Sequence, residues 1–177
     1  MDAQARLNLA RQMTQEGRYE DALPEFEWFF AHALEENRAL YRVRLSYCLS
    51  AWAEQAGKYA PARQALDAVR ERGMTALLAG QDEFMLFHEI VAIDAALGEQ
   101  DKTHALFARL MELTPDRARS LRNIALPAVI GARDFRLAEQ MLPDPEQFVR
   151  EQCDMLLRIY THRRRRLPDP EHIAHII

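Results

Sequence analysis

Cysteine and lysine are nearly missing from this 177-residue chain, which holds two of each. Cys48 and Cys153 each sit in an apolar helical pattern with no second cysteine close by. That excludes a CxxC redox or zinc pair and predicts two reduced, buried thiols rather than a disulfide. No apolar run approaches the ~20 residues that span a bilayer, so no membrane insertion is expected. Runs of β-branched residues long enough to make a strand are absent too, and every ordered segment reads as helix. The first residues lack the basic-then-apolar layout of a signal peptide, which points to the cytoplasm, here a bacterial one. Also missing are a glycine-rich phosphate loop, HExxH and GxSxG, and His88-Glu89 has no second histidine four residues on. The chain is therefore expected not to be an enzyme and to need neither metal nor cofactor.

What is present is ordinary for a folded protein: 49% apolar and 28% charged residues, rich in Ala, Leu, Glu, Gln and Arg. The net charge of −4 is unevenly spread. Residues 1 to 36 carry eight acids against three bases, and residues 117 to 177 carry eight acids against eleven bases. The sharpest charge feature is Arg163, Arg164, Arg165 and Arg166, a candidate patch for an anionic partner that also reads as a solvated helix end. No aromatic residue beyond Tyr160 interleaves with these arginines, so nucleic acid is not favoured as the main ligand.

Helix signals then follow one another along the chain. Residues 3 to 16 place Leu7, Ala10 and Met13 on one stripe that stops at Gly17. A second helix carries Leu23, Phe26, Phe29 and Phe30, with Asp21 as its expected N-cap and Pro24 in the first turn. A third runs from about Asn37 to Ala56 and ends at Gly57, where a left-handed turn is expected. A short helix from Pro61 should close at Gly73, and another runs from about Asp82 to Leu97. Asp101 is expected to cap the next, and Thr114-Pro115 to start a seventh that kinks or stops at Pro127. A short helix follows over Phe135 to Leu142. The run Leu142-Pro143-Asp144-Pro145-Glu146 returns as Leu167-Pro168-Asp169-Pro170-Glu171, each predicting an Asp cap followed by a helix-starting proline.

Alignment on the helix-ending glycines exposes an internal repeat: Gly17, Tyr19, Ala22, Phe26, then Gly57, Tyr59, Ala62, Leu66 at identical spacing. A third copy reads Gly98, Gln100, Thr103, Phe107, and a fourth keeps Phe135, Ala138 and Leu142 with Arg133 in place of glycine. Glycine turns the corner, the aromatic plugs the gap between helices, alanine permits close contact and the bulky residue fills the groove. This pattern resembles the tetratricopeptide repeat, above all in Gln15-Glu16-Gly17-Arg18-Tyr19-Glu20-Asp21-Ala22-Leu23 and Gln55-Ala56-Gly57-Lys58-Tyr59-Ala60-Pro61-Ala62. The glycine-to-glycine steps of 40 and 41 exceed the roughly 34 residues of that repeat, and its usual Trp and Leu-Gly in the first helix are missing.

The resemblance implies an all-α, right-handed α-α superhelix (solenoid) of about four helix-turn-helix repeats plus a C-terminal helix. Residues 1–162 would form the repeat domain and 163–177 a basic, proline-containing tail with a short helix. It also implies a concave groove, lined by first helices, for a protein or peptide. Carried over by repeat alignment, the groove residues are Asn8, Arg11, Arg44, Tyr47, Met85, His88, Glu89 and Asn123. The expected role is that of an adaptor or scaffold. The alternatives are a dedicated inhibitor, immunity protein or secretion chaperone for one partner, and a nucleic-acid-associated regulator using the arginine cluster.

Overall fold

Asp2 starts the first helix by accepting the Ala5 N–H at 2.7 Å, and α1 (Ala3–Gln15) follows. The computed structural model describes residues 1–142 and 144–164, and every regular element among them is helical. After α1 come α2 (Tyr19–Glu36) and a helical stretch over 38–56, which opens as a 3-10 turn at Arg38–Leu40. That stretch continues as α3 (Tyr41–Val43), widens to a π turn over Arg44–Cys48 and returns to α geometry in α4 (Leu49–Ala56). Next are α5 (Ala60–Leu78), α6 (Glu83–Leu97) and α7 (Gln100–Leu113), then α8 (Pro115–Ser120) and α9 (Arg122–Gly131). Last come α10 (Phe135–Met141) and α11 (Pro145–Arg164). No helix among the described residues is long and apolar enough to cross a membrane.

The chain divides into two compact units, Met1–Phe135 and Arg136–Ile177. In the first, sequence neighbours pack on one another: α1 on α2, α4 on α5, α5 on α6, α6 on α7, and α7 on α8 and α9. Non-sequential contacts tie these pairs together, with α4 against α6, α6 against α9 and α2 against α5. The main apolar cluster draws on Leu7, Phe26, Phe29, Leu49, Trp52, Leu66 and Ile93, each essentially buried. Burial of a side chain of this size stabilises the fold by about 1.5–3 kcal/mol. The repeat positions explain much of it. Ala22 and Ala62 are inaccessible, as are Phe26, Leu66 and Phe107, and Tyr19 stacks on Tyr59 with ring centres 6.0 Å apart.

Corner geometry follows the repeat except at one place. Gly17, Gly98 and Arg133 all adopt positive φ (78°, 73° and 57°). Behind each, the next N–H reaches back five residues: Arg18 to Met13, Glu99 to Asp94 and Asp134 to Val129. This is the Schellman closure, which a left-handed residue makes possible. Arginine therefore occupies in the fourth copy the conformation that glycine occupies in the first and third. Gly57 is the exception. Its φ is −67° and the turn closes by Tyr59 N–H to the Gln55 carbonyl, so the left-handed turn expected there does not form.

Several helix ends also differ from expectation. α2 begins at Tyr19, capped by the Arg18 backbone, and Asp21 lies within its first turn holding the Arg18 guanidinium at 2.8 Å. Pro24 is consequently inside the helix and cannot donate to the Glu20 carbonyl. Burial of Ala22, Phe26, Phe29, Phe30 and Ala33 along the opposite face carries the helix across that defect. Gly73 does not end α5, which runs to Leu78 and stops at the left-handed Gly80. A Cβ added at Gly73 would meet Ile90 at 3.4 Å, an ordinary contact, so this glycine is neither a corner nor a tight spot but a position within an unbroken right-handed helix. α7 is entered at Glu99, with Asp101 in its first turn rather than capping it. Thr114 precedes α8, but its hydroxyl bonds back to the Leu110 carbonyl instead of capping forward. Pro127 does not end its helix; the interruption falls at Leu121, between α8 and α9.

In the second unit, Asp144 caps α11 as expected, its carboxylate accepting the Gln147 N–H at 2.8 Å with Pro145 as first residue. α10 buries Leu137 and Met141, whereas Ala138 and Leu142 of the repeat alignment are half-buried and Phe135 is exposed. The fourth copy is thus rotated by one residue relative to the others. Cys48 is buried, its thiol pushed up to about 12 by burial. Cys153, expected buried, is exposed on α11. The second Leu-Pro-Asp-Pro-Glu run and the tail from residue 165 lie outside the described residues.

Candidate functional site

The eight groove residues read from the sequence fall into three groups. Arg11 on α1 and Tyr47 on the π turn line one small pocket of about 120 Å³ together with Thr14, Ser50 and Glu54. Arg11 is exposed and Tyr47 is 66% exposed. The π turn accounts for this tyrosine. One extra residue per turn lets Arg44 and Cys48 both point inward while Tyr47 between them faces out.

Arg44, His88 and Glu89 form the second group, gathered inside rather than displayed on an open surface. Arg44 is 7% exposed. Its Nε donates to the Phe30 carbonyl at 2.5 Å, Nη1 donates to Glu89 Oε1 at 2.5 Å, and its guanidinium stands 3.7 Å from the centre of the Phe30 ring. His88 Nδ1 lies 2.9 Å from the Tyr41 hydroxyl. Burial pushes the imidazole pKa down against the opposing charge of Glu89. Burial, reinforced by Glu89, raises the Tyr41 pKa. These charges therefore lock the 38–56 stretch onto α2 and α6. They border a cleft of about 400 Å³ that also holds Trp52, Arg72 and Leu86.

Asn8, Met85 and Asn123 line neither of these two pockets. Asn8 is exposed on α1 and accepts from Gln4 Nε2 at 3.3 Å, Asn123 is exposed on α9, and Met85 is half-buried on α6. Arg163 and Arg164 end α11, but their side chains, and Arg165 and Arg166 altogether, lie outside the described residues.

Two features were not read from the sequence. Arg70 and Asp94 are a buried pair, with Nε to Oδ1 at 2.5 Å and Nη2 to Oδ2 at 3.1 Å, and Thr103 donates its hydroxyl to Asp94 at 2.8 Å. The signal was a single acid inside Ile90-Val91-Ala92-Ile93-Asp94-Ala95-Ala96-Leu97. A carboxylate there must find a partner or cost several kcal/mol. The second feature is a cleft of about 690 Å³ between α6 and α9, lined by Val91, Ala95, Ile124, Pro127 and Ala128 and edged by Asp101. Small residues on both helices leave this valley open. Among the described residues no cluster of three or more His, Cys, Asp or Glu side chains is placed to hold a metal.

No family model, no curated protein and no solved structure matches the chain.

Proposed function

We propose that the first unit is a degenerate tetratricopeptide-like stack of helical hairpins and that it works as an adaptor, receiving a protein or peptide along its first helices. The observation that carries this reading is the pair of open valleys between successive first helices. One lies between α1 and the π turn with α4, and the other between α6 and α9. In a right-handed superhelix such valleys line one concave face.

The chemistry of the two valleys suits a protein ligand. Tyr47 offers a large, half-fixed amphipathic surface beside the Arg11 cation, and the α6/α9 cleft offers an apolar recess for a partner's side chain. The partly buried Arg44–Glu89 pair holds the π turn, so the backbone that presents Tyr47 is ordered before binding.

Affinity capture from the host lysate tests the reading with two surface variants. Arg11→Glu combined with Tyr47→Ala alters one valley, and Ala95→Arg fills the other. A protein retained by the unaltered chain and lost from both variants, with melting temperature unchanged, supports the proposal. Proteins retained equally by all three, or nucleic acid alone released by salt, contradict it. A single stoichiometric partner would move the reading to a dedicated inhibitor or chaperone that uses the same face.

A further inference from the structure

α9 carries Pro127 in its interior without breaking. Proline lacks an N–H, so the Asn123 carbonyl four residues back loses the donor that a regular turn supplies, a defect that costs about 3 kcal/mol in a helix interior. That carbonyl lies beside the proline ring, and Pro127 lines the cleft of about 690 Å³ between α6 and α9. The helix therefore brings to this cleft a backbone acceptor left without its helical donor.

The rest of the rim has the same sign. Gly98 and Ala132 cap the C-terminal ends of α6 and α9, and both line the cleft, so the partial negative charges of two helix ends face it. Asp101 adds a full charge. It is exposed, and among the described residues lining the cleft it alone is ionisable. It sits in the first turn of α7, whose positive end offsets about half a charge. Lys102 beside it is held by Glu99 at 2.9 Å. Donors on the rim are few, since the Thr103 hydroxyl is already given to Asp94 at 2.8 Å. Below the rim the walls are apolar, formed by Val91, Ala95, Ile124 and Ala128.

An apolar recess edged by acceptors is complementary to a long aliphatic stem that ends in a cluster of donors. Arginine has this shape, with five N–H donors on a planar, weakly hydrated guanidinium. We propose that the α6/α9 cleft receives an arginine side chain of a protein partner, its methylenes against Val91, Ala95 and Ile124 and its guanidinium directed to Asp101 and the carbonyls of the rim. A phosphate-bearing ligand would meet repulsion at the same rim. The inference deepens the adaptor reading and rests on it for the claim that the arginine belongs to a protein.

Acetyl-arginine amide is the probe, with acetyl-citrulline amide as its neutral counterpart of the same shape. In amide NMR spectra of the full chain the arginine probe should shift Gly98, Asp101, Gly131 and Ala132 with a dissociation constant of about 1 mM. The citrulline probe should bind at least about fivefold more weakly. Asp101→Asn, an exposed change, should weaken the arginine probe about threefold to tenfold and move the melting temperature by no more than a few degrees. Ala95→Arg should occupy the recess itself and abolish the shifts. No shifts at these amides up to about 50 mM, equal binding of the two probes, or indifference to Asp101→Asn would overturn the inference. The lysate capture, repeated with the Asp101→Asn chain, separates this inference from the reading it rests on. Protein retained undiminished by Asp101→Asn strikes the arginine pocket and spares the adaptor. No protein retained by the unaltered chain, with the arginine probe still bound, strikes the adaptor and spares the pocket.

Discussion

α6 and α11 are two long helices that meet opposite fates. α6 is apolar on nearly every side and is contacted by α4, α5, α7 and α9, so that even Asp94 in its last turns is wholly buried. α11 has a cleaner apolar stripe, yet Val149, Leu156 and Tyr160 stay exposed. Eleven of the fifteen residues of α6 are apolar against eight of the twenty in α11, and α6 also has more neighbours, α5 and α7 beside it in sequence and α4 and α9 against it. That burial forced a partner onto Asp94. On α11 the apolar side stays exposed.

The largest expected effect comes from cutting the buried pair that α6 imposes. Asp94→Ala leaves the Arg70 guanidinium buried without its counter-ion and deprives Thr103 of its acceptor, so chemical denaturation should show a loss of about 3–5 kcal/mol. A loss under 1 kcal/mol would mean that water reaches Arg70 and that α6 is less enclosed than described. Next in size is the end of α6. Gly98→Ala forces a Cβ onto a left-handed residue and should cost about 1 kcal/mol, whereas Gly57→Ala, at a right-handed residue, should change stability by less than about 0.5 kcal/mol. Equal costs at the two glycines would contradict the different corners.

A smaller effect belongs to His88, also on α6. Its folded pKa lies below the ordinary 6.5, so the unfolded chain binds a proton where the folded chain does not. The stabilisation is full above 6.5 and is lost as pH falls from there through the folded pKa. The melting temperature should therefore drop between pH 6.5 and the carboxylate range, and His88→Gln should flatten that part of the profile. The smallest effect is on α11: Leu156→Ala in dilute protein should alter stability by no more than about 0.5 kcal/mol, since the side chain is already in water. A loss near 2 kcal/mol would show that the stripe is covered within one molecule.

How much of this was legible beforehand depends on the range of the interaction. Helix identity and most boundaries follow from local rules, and the repeated Tyr, Ala and bulky positions located the packing of the first two hairpins correctly. The left-handed corner at Gly17 was legible for the same reason. Gly57 was not, because a turn's conformation depends on which carbonyl the next N–H finds, and Tyr59 finds Gln55 one turn back. Gly73 misled because a glycine that ends a helix and a glycine carried within one are written with the same letter. Among site residues, Arg11 and Tyr47 were placed together by repeat alignment. Arg44 was assigned to the open face, since no helical period of 3.6 anticipates a π turn that swings it inward to Phe30 and Glu89.

Amide hydrogen exchange on dilute protein tests the contrast between the two helices most directly. The account predicts that the central amides of α6, around Ile90 to Asp94, exchange only through global unfolding, while those of α11 exchange orders of magnitude faster. Protection of α11 equal to that of α6 would contradict it.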